Sequence, residues 1–493
     1  MPKTLALGLC AFYVCICFVY LFGPPLLDEG WFASPPYNLL HHGNLGTTTI
    51  DPTGYLMRPE LTRIDQRTYW VLPFSFLAQS AWYFVTGFGL FQMRLLSVLF
   101  GAAGAVAIYR LMIRLTGDQL GSAIATLLFV QDNTILFRSA NGRMDVMCLG
   151  LGLVGQAAYV SLRKRSLPAA LLTSGTFLSL ALLTHPNAII SVLTVIATAL
   201  ILDAPRLKFS HIVPFAAPFL VGGLLYAAWA ARDPVAFKAQ LTGNHASERM
   251  QLLDPIHAIT EEFIRYRKAF YKAEYEPGAF APFKLILLAA WIGGYIGNLA
   301  VRGLRDRATM VLAASGLIPV VVLTFFNAKN MYYLVFIVPF FAANAGMFFS
   351  YLWQKRGNSA KAAMAGLALT LLVSAAVNVK RAVAVPKGAA AYRQRVAAIK
   401  TVMPPQGKIM GPATLAFGLG FDRVVQDDNL GFFSHRCPAL IVDDGLQPDE
   451  TDTLRRYAPN VLEHRNQMLT VHYRMAQPQI YERLSCPAGS RAE

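Results

Sequence analysis

An adjacent acid pair, Asp28-Glu29, stands in "GPPLLDEGWFASPPYN", a few residues beyond an apolar run that begins near Leu5. Three later segments place further polar groups where the chain is otherwise apolar. They are "QDNTILFRSANGRMDV" with Asp132, Arg138, Arg143 and Asp145; "LLTHPNAII" with His185 and Asn187; and "NAKNMYYLVF" with Lys329, Tyr332 and Tyr333. A positioned carboxylate can take the proton of an attacking hydroxyl. Guanidinium and ammonium groups stabilise charge that develops on phosphate oxygens. Acids and cations gathered on one face therefore suit a molecule that carries both hydroxyls and phosphate. A charge at mid-helix depth costs about 2.5–3.5 kcal/mol on insertion scales. Asp132 is thus expected to have a partner or to line a wet cavity.

Membrane crossings must bring these segments together. The chain has 493 residues, 55% hydrophobic and 15% charged, against about a quarter charged in a globular chain. Apolar stretches of roughly 17–25 residues, each able to cross a hydrocarbon core, recur along most of it. Spans are expected near 5–23, 92–112, 119–138, 145–161, 168–184, 188–203, 210–230, 282–300, 308–326, 331–350 and 362–379. The fold class is mostly α: a polytopic transmembrane helix bundle of about eleven to thirteen spans. The first segment lacks a convincing small-residue cleavage site and reads as an uncleaved span.

The net charge of +16 would suggest nucleic acid on a soluble protein. Here the basic residues fall mainly in short loops, where they set orientation, so membrane lipids and not nucleic acid are the expected partners. Lys3, Arg110, Arg114, Arg163, Lys164, Arg165, Arg206, Lys208, Arg302, Arg305, Arg307, Lys355, Arg356 and Lys361 all fall inside together if the chain alternates sides. Asp28, Arg138, Arg143, Asp145, His185 and Lys329 then fall outside, with long outer loops at about 24–91 and 231–281. The apolar stretch 69–90, broken by Pro73 and by Gly87-Phe88-Gly89, reads as re-entrant or interfacial, with two hidden crossings as the alternative. In the loop 231–281, Ile259, Phe263, Tyr266 and Phe270 sit at helical spacing and predict an amphipathic helix lying on the bundle. The bundle is expected over 1–380. Beyond it "KIMG" and "ALIVDD" read as strands and "PDETDTLRRYAPN" as a helix, so 381–493 is expected as a small soluble α/β domain. Cys437 and Cys486 lie in that tail and could pair in an oxidising compartment.

At this point the sequence resembles the GT-C superfamily of membrane glycosyltransferases, close to the branch of protein O-mannosyltransferases and lipid A aminoarabinose transferases. "LLDEGWF" matches the acid motif after the family's first span. "TYWVLPFSFLAQSAWYFVTGFGLFQMRLLSVLFG" is similar to its Pro-bearing aromatic helix followed by Gly and Arg-Leu. "RLTGDQLGSAIATLLFVQDNTILFRSANGRMDV" resembles the basic turn and second acidic motif, and "NAKNMYYLVFIVPFFA" the basic, Tyr and Pro pattern before a late span. The likeness covers about residues 5–350. It departs where the tandem prolines reduce to Pro73 with no preceding Lys, and where His185 replaces a common Lys.

The resemblance implies a glycosyltransferase, a hexosyl- or pentosyltransferase of the GT-C type. It would move a sugar from a polyprenyl-phosphate donor to a lipid, glycan or protein hydroxyl, with inversion, on the outer face of a bacterial inner membrane. It implies Asp28 as base, with Glu29 orienting the acceptor or holding a metal. Arg94, Arg138, Arg143 and Lys329 would contact the donor phosphate, supported by Asp145, Asp132, His185, Tyr332 and Tyr333. No cofactor is certain; a divalent metal is possible, with Glu29 and His185 as candidate ligands. Bland roles stay open: solvated acids at 28–29, a structural Arg143–Asp145 pair, a helix-end hydrogen bond for His185, interfacial tyrosines. A secondary transporter is the rival class, although repeated halves and midplane breaks are not evident; a lipid-diphosphate-dependent oligosaccharide ligase would share much of the design.

Overall fold

The computed structural model describes residues 2–54, 58–244, 254–267, 269, 281–326, 329–355 and 357–493. Helix α1 (Pro2–Tyr20) is followed by Gly23-Pro24-Pro25, which cannot continue it, and α2 (Leu27–His42) starts at once. Asp28 and Glu29 occupy the first turn of α2, where unpaired N–H groups favour carboxylates. Pro73 opens α3 (Pro73–Thr86) and Gly87, at φ +84°, closes it. Its 14 residues reach about 21 Å at 1.5 Å per residue, short of a hydrocarbon core of about 30 Å. The ambiguous stretch is therefore a short helix packed on α2, not a crossing.

The bundle follows as α4 (Leu90–Thr116), α5 (Gln119–Gln131), α6 (Asn133–Ser139), α7 (Met144–Leu162), α8 (Leu167–Leu182), α9 (Ala188–Asp203) and α10 (Ile212–Ala230). After α11 (Pro234–Asn244) and α12 (Pro255–Tyr266) come α13 (Ala281–Arg302), α14 (Arg307–Phe325), α15 (Val338–Lys355) and α16 (Asn358–Val402). Helices α5 and α6 meet at a 58° bend. Asp132 sits at that bend and accepts the Thr134 and Ile135 N–H groups at 2.8 and 3.1 Å, so the expected partner is the start of α6 itself. Among the described residues, seven helices are long and apolar enough to cross a membrane, or eight with α5 and α6 taken together. The chain is an integral, multi-pass membrane protein. Each of the eleven expected spans coincides with a helix or with the bent pair, and α1, α8 and α15 share the bundle core.

Basic helix ends collect at one end of the bundle. Arg302 lies 3.9 Å from Asp118, Arg307 donates to the Leu202 carbonyl at the end of α9, and Arg163 and Arg206 both pair with buried Asp203. The start of α2 lies at the opposite end. There α12 departs from the expected seam. Ile259 and Phe263 are exposed, whereas Ala258, Glu262 and Arg265 are buried; Phe270 lies outside the described residues. The polar side is drawn inward because Arg265 donates to the Leu323 and Asn330 carbonyls at 3.0 and 2.9 Å, near the end of α14.

Helix α16 runs unbroken for 45 residues, so the expected boundary at 380/381 falls inside it and the α/β unit begins after Val402. Strands β1 (Ile409–Met410), β2 (Val424–Val425), β4 (Leu440–Val442), β5 (Tyr473–Gln477) and β6 (Ile480–Arg483) form one sheet in the order β2-β1-β4-β6-β5. The first three are parallel, and β6 runs antiparallel to β4 and β5. Strands β3 (Arg436–Cys437) and β7 (Arg491–Ala492) pair separately, beside a Cys437–Cys486 disulfide. Helices α17 (Ala416–Leu419), α18 (Pro448–Tyr457) and α19 (Pro459–Gln467) complete the unit. It is not a bead on a string. Phe32 of α2 and Phe76 and Tyr83 of α3 share one buried cluster with Leu415, Phe421, Val424 and Leu440. At Gly30 any Cβ would stand about 2.5 Å from the Ala413 backbone, so only glycine admits this approach.

One buried ion pair fixes α2 to the bundle. Arg94 of α4 donates from Nε and Nη2 to the two Glu29 oxygens, each at 2.7 Å, and both side chains are buried. Its remaining donors reach the Tyr20, Leu21, Gly23 and Pro24 carbonyls. Burial pushes the Glu29 carboxyl above its ordinary value, against the pull of the Arg94 guanidinium. Removing one partner of such a pair strands a buried charge at about 3–5 kcal/mol. Arg94→Met should therefore lower stability by that order in detergent unfolding, and the Glu29→Leu/Arg94→Met double variant should regain much of it. An Arg94→Met protein as stable as wild type would contradict the clamp.

The docked tail carries a pH signature. Burial, with Asp51 nearby, pushes the Asp427 carboxyl up to about 6, although Ser434, Asn429 and Gly431 donate to it. The folded state then holds a proton that the unfolded chain has released, so this contribution is present below the normal carboxylate range and is lost as pH rises through about 6. Thermal unfolding of the whole protein should show a fall in stability between about pH 4 and pH 6 that Asp427→Asn removes. An unchanged slope in that variant would contradict it.

Candidate functional site

Successive helical residues are turned about 100° from one another, so the acid pair splits. Glu29 faces α4 and Arg94, whereas Asp28, about one-third exposed, faces the start of α7. Arg143 precedes the first turn of α7 and lies between two carboxylates. Its Nη1 pairs with Asp28, and its Nε donates to Asp145 Oδ2 at 2.9 Å. Asp145, fully buried in the first turn of α7, receives the favourable end of that helix dipole. The His185 ring sits at the α8–α9 turn with Nε2 3.8 Å from Asp145 Oδ1. Its Nδ1 accepts the Asn187 N–H at 3.1 Å, which assigns the neutral ring's proton to Nε2, toward Asp145.

Arg138 ends α6, and the Ala140–Gly142 turn carries the chain back to Arg143. Gly142 has φ +63° and a Cβ there would meet Met93 at 2.8 Å, so this turn demands glycine. The Arg138 guanidinium lies over the Tyr332 ring, 3.2 Å from its centroid. With the Asn141 amide oriented to satisfy both its ends, Arg138 Nη1 donates to its oxygen at 3.0 Å. Tyr333 packs edge-on to His185 with centroids 5.8 Å apart.

Asp28, Arg138, Arg143, Asp145, His185, Tyr332 and Tyr333 thus gather at one end of the bundle. Four predicted residues do not join them in the predicted roles. Arg94 has its donors engaged by Glu29 and backbone carbonyls, so it does not reach out to a phosphate. Glu29 is spent on Arg94 and on the Leu26 N–H at 2.7 Å. Asp132 caps α6. Lys329 is held by Glu262 at 3.4 Å and by the Thr324 carbonyl, beside α12. Two contributors escaped the sequence reading. Asn141 sits in the turn between the cations, and Phe32, one helical turn after Asp28, places its ring 5.4 Å from the Arg143 guanidinium. A polar residue in "RSANGR" and an aromatic at i+4 were the available signals.

Electrically the group is two carboxylates and two guanidiniums, unevenly shared. Arg143 serves both acids. Among the described residues Arg138 has no carboxylate within ion-pair distance; it is 2% exposed, and its Nε and Nη2 have no hydrogen-bond partner. Buried guanidinium donors of this kind are matched by a carboxylate or phosphate. Glu29 and His185, the candidate metal ligands, face different neighbours, and among the described residues no three His, Cys, Asp or Glu side chains converge. A separate apolar groove of about 360 Å³ between α8, α9 and α10, reaching Lys208 and His211, lies at the basic end and contains none of the site residues.

No family model and no curated protein matches the sequence. Solved structures do match the fold. ArnT from Cupriavidus metallidurans bound to undecaprenyl phosphate is 15% identical over 92% of this chain and 94% of its own, with a TM-score of 0.60. Its apo form gives 16% identity, the same shares and 0.58. The apo oligosaccharyltransferase of Archaeoglobus fulgidus gives 11% identity and 0.54 over 88% of this chain and 65% of its own. The architecture of this chain, a polytopic helix bundle with a small C-terminal α/β unit, is therefore the fold that these solved structures share.

Proposed function

We propose that this chain is a GT-C-type glycosyltransferase that moves a sugar from a polyprenyl-phosphate donor to an acceptor hydroxyl. The observation that carries the reading is the convergence of partly exposed Asp28 with Arg143 and the incompletely bonded guanidinium of Arg138 at one end of an apolar bundle. The ArnT structure of similar fold holds undecaprenyl phosphate, and we carry that donor class to this chain.

In this scheme Asp28 accepts the proton of the acceptor hydroxyl as its oxygen attacks the anomeric carbon. The carbon–oxygen bond to the phosphate breaks on the opposite face, so the configuration inverts, and the bonding pair leaves with the phosphate. Arg138, with two buried N–H directions to offer, and Arg143 receive that charge. Asp145 keeps Arg143 in place and His185 braces Asp145. The polyprenyl tail lies in lipid beside the bundle. The acceptor is a lipid, glycan or protein, brought to Asp28 from the tail-domain side.

Two independent features support a site on the outer, extracytoplasmic face of the membrane. The Cys437–Cys486 disulfide suits an oxidising compartment. The basic helix ends lie at the opposite end of the bundle, as cytoplasmic ends do.

Asp28→Asn should reduce transfer by about 10²–10⁴-fold, the scale of a general base, without altering expression or thermal unfolding. Arg138→Ala should also weaken binding of undecaprenyl phosphate. Mass spectrometry of glycolipids and glycoproteins in membranes of cells with the wild-type or variant gene reads the first effect. Normal product levels with Asp28→Asn would remove Asp28 as the base.

A further inference from the structure

We propose that Gln426, in the C-terminal α/β unit, is a positioning residue for Asp28; the inference rests on the assignment of Asp28 as base. Gln426 is 6% exposed and follows β2. Its Oε1 accepts the Trp31 indole N–H at 3.0 Å and the Ala413 N–H at 3.2 Å, and its Nε2 donates to Asp428 at 3.0 Å. Its backbone N–H donates to the Thr49 carbonyl at 2.8 Å, and its carbonyl accepts the Asp51 N–H at 3.0 Å. One side chain and its peptide groups therefore tie together α2, the first outer loop and the tail.

Trp31 lies three residues after Asp28, so the two side chains share a flank of α2. The bond from Trp31 to Gln426 thus sets the rotation of α2 from the tail side, as the Glu29–Arg94 pair sets it from the bundle side. Between these anchors Asp28 meets Arg143. The Gly30–Ala413 approach removes slack, because the two backbones have no side chain between them. Farther along α2, Asp422 accepts the Tyr37 hydroxyl at 2.7 Å and lies 2.8 Å from His42 Nε2. The tail therefore grips α2 over several turns, and Gln426 supplies a side-chain hydrogen bond in the turn that follows the acid.

The test uses the full chain in lipid nanodiscs. Gln426→Met keeps most of the volume and loses the side-chain bonds; Trp31→Phe removes the indole donor together with part of the ring that packs on Trp70. Losing these bonds should raise hydrogen exchange in the first turns of α2 about tenfold, from typical hydrogen-bond strengths, and lower product formation by a similar factor. Affinity for undecaprenyl phosphate and exchange in β1, β2 and β4 should stay at wild-type values. The losses of the two single variants should be less than additive in the double one, since both remove the Trp31–Gln426 bond. Wild-type product formation in Gln426→Met while Asp28→Asn is inactive overturns the positioning role and leaves the base in place. Loss of protection across the strands overturns it too, because the residue then serves only the tail's folding. Full activity of Asp28→Asn would instead withdraw the base assignment itself.

Discussion

A charged group inside an apolar bundle must find an opposite charge or face water, and Arg143 meets this constraint in a way that organises the whole site. Held between Asp28 and Asp145, it joins the first turn of α2 to the first turn of α7. Asp145 in turn faces the α8–α9 turn through His185. Three segments far apart in sequence therefore share one set of charges. Arg143 is neutralised twice over, and among the described site residues Arg138 keeps hydrogen-bonding directions to spare. This imbalance is what the proposed phosphate site rests on.

The second constraint is mechanical. Helix α2 has two prolines within it and no crossing of its own, so its orientation must come from outside. The Glu29–Arg94 pair supplies it from the bundle. The tail supplies it through a shared apolar core, the Gly30–Ala413 contact and Gln426. The α/β unit is thus part of what holds the acid-bearing helix, and the 45-residue α16 connects it to the bundle without a flexible joint.

Much of this architecture was legible in the sequence because lipid imposes strong rules. Apolar length locates the crossings, and the basic ends sort them into two sides. The segments bearing Asp28, Arg143, Asp145 and His185 could be assigned to one end on those grounds alone. What a linear reading missed depends on direction rather than on position. Adjacent acids at 28 and 29 look alike in sequence, yet a rotation of about 100° sends one to the site and the other to Arg94. The apolar stripe of α12 suggests its buried side, but Arg265 turns inward to the Leu323 and Asn330 carbonyls and leaves Ile259 and Phe263 outward. Charge increases near Lys380 while the helix continues to Val402, so composition alone does not mark the end of α16. Gln426 belongs to no motif; its importance arises only where the loop and the tail meet.

The central claim is that Arg138 and Arg143 receive a polyprenyl phosphate within reach of Asp28. A cryo-electron microscopy structure of the full chain with undecaprenyl phosphate tests this most directly. The account predicts phosphate density hydrogen-bonded to the Nε or Nη2 of Arg138, with Asp28 on the side open to an acceptor. Phosphate density at the basic end of the bundle, or beside Arg138 but closed off from Asp28, would contradict it.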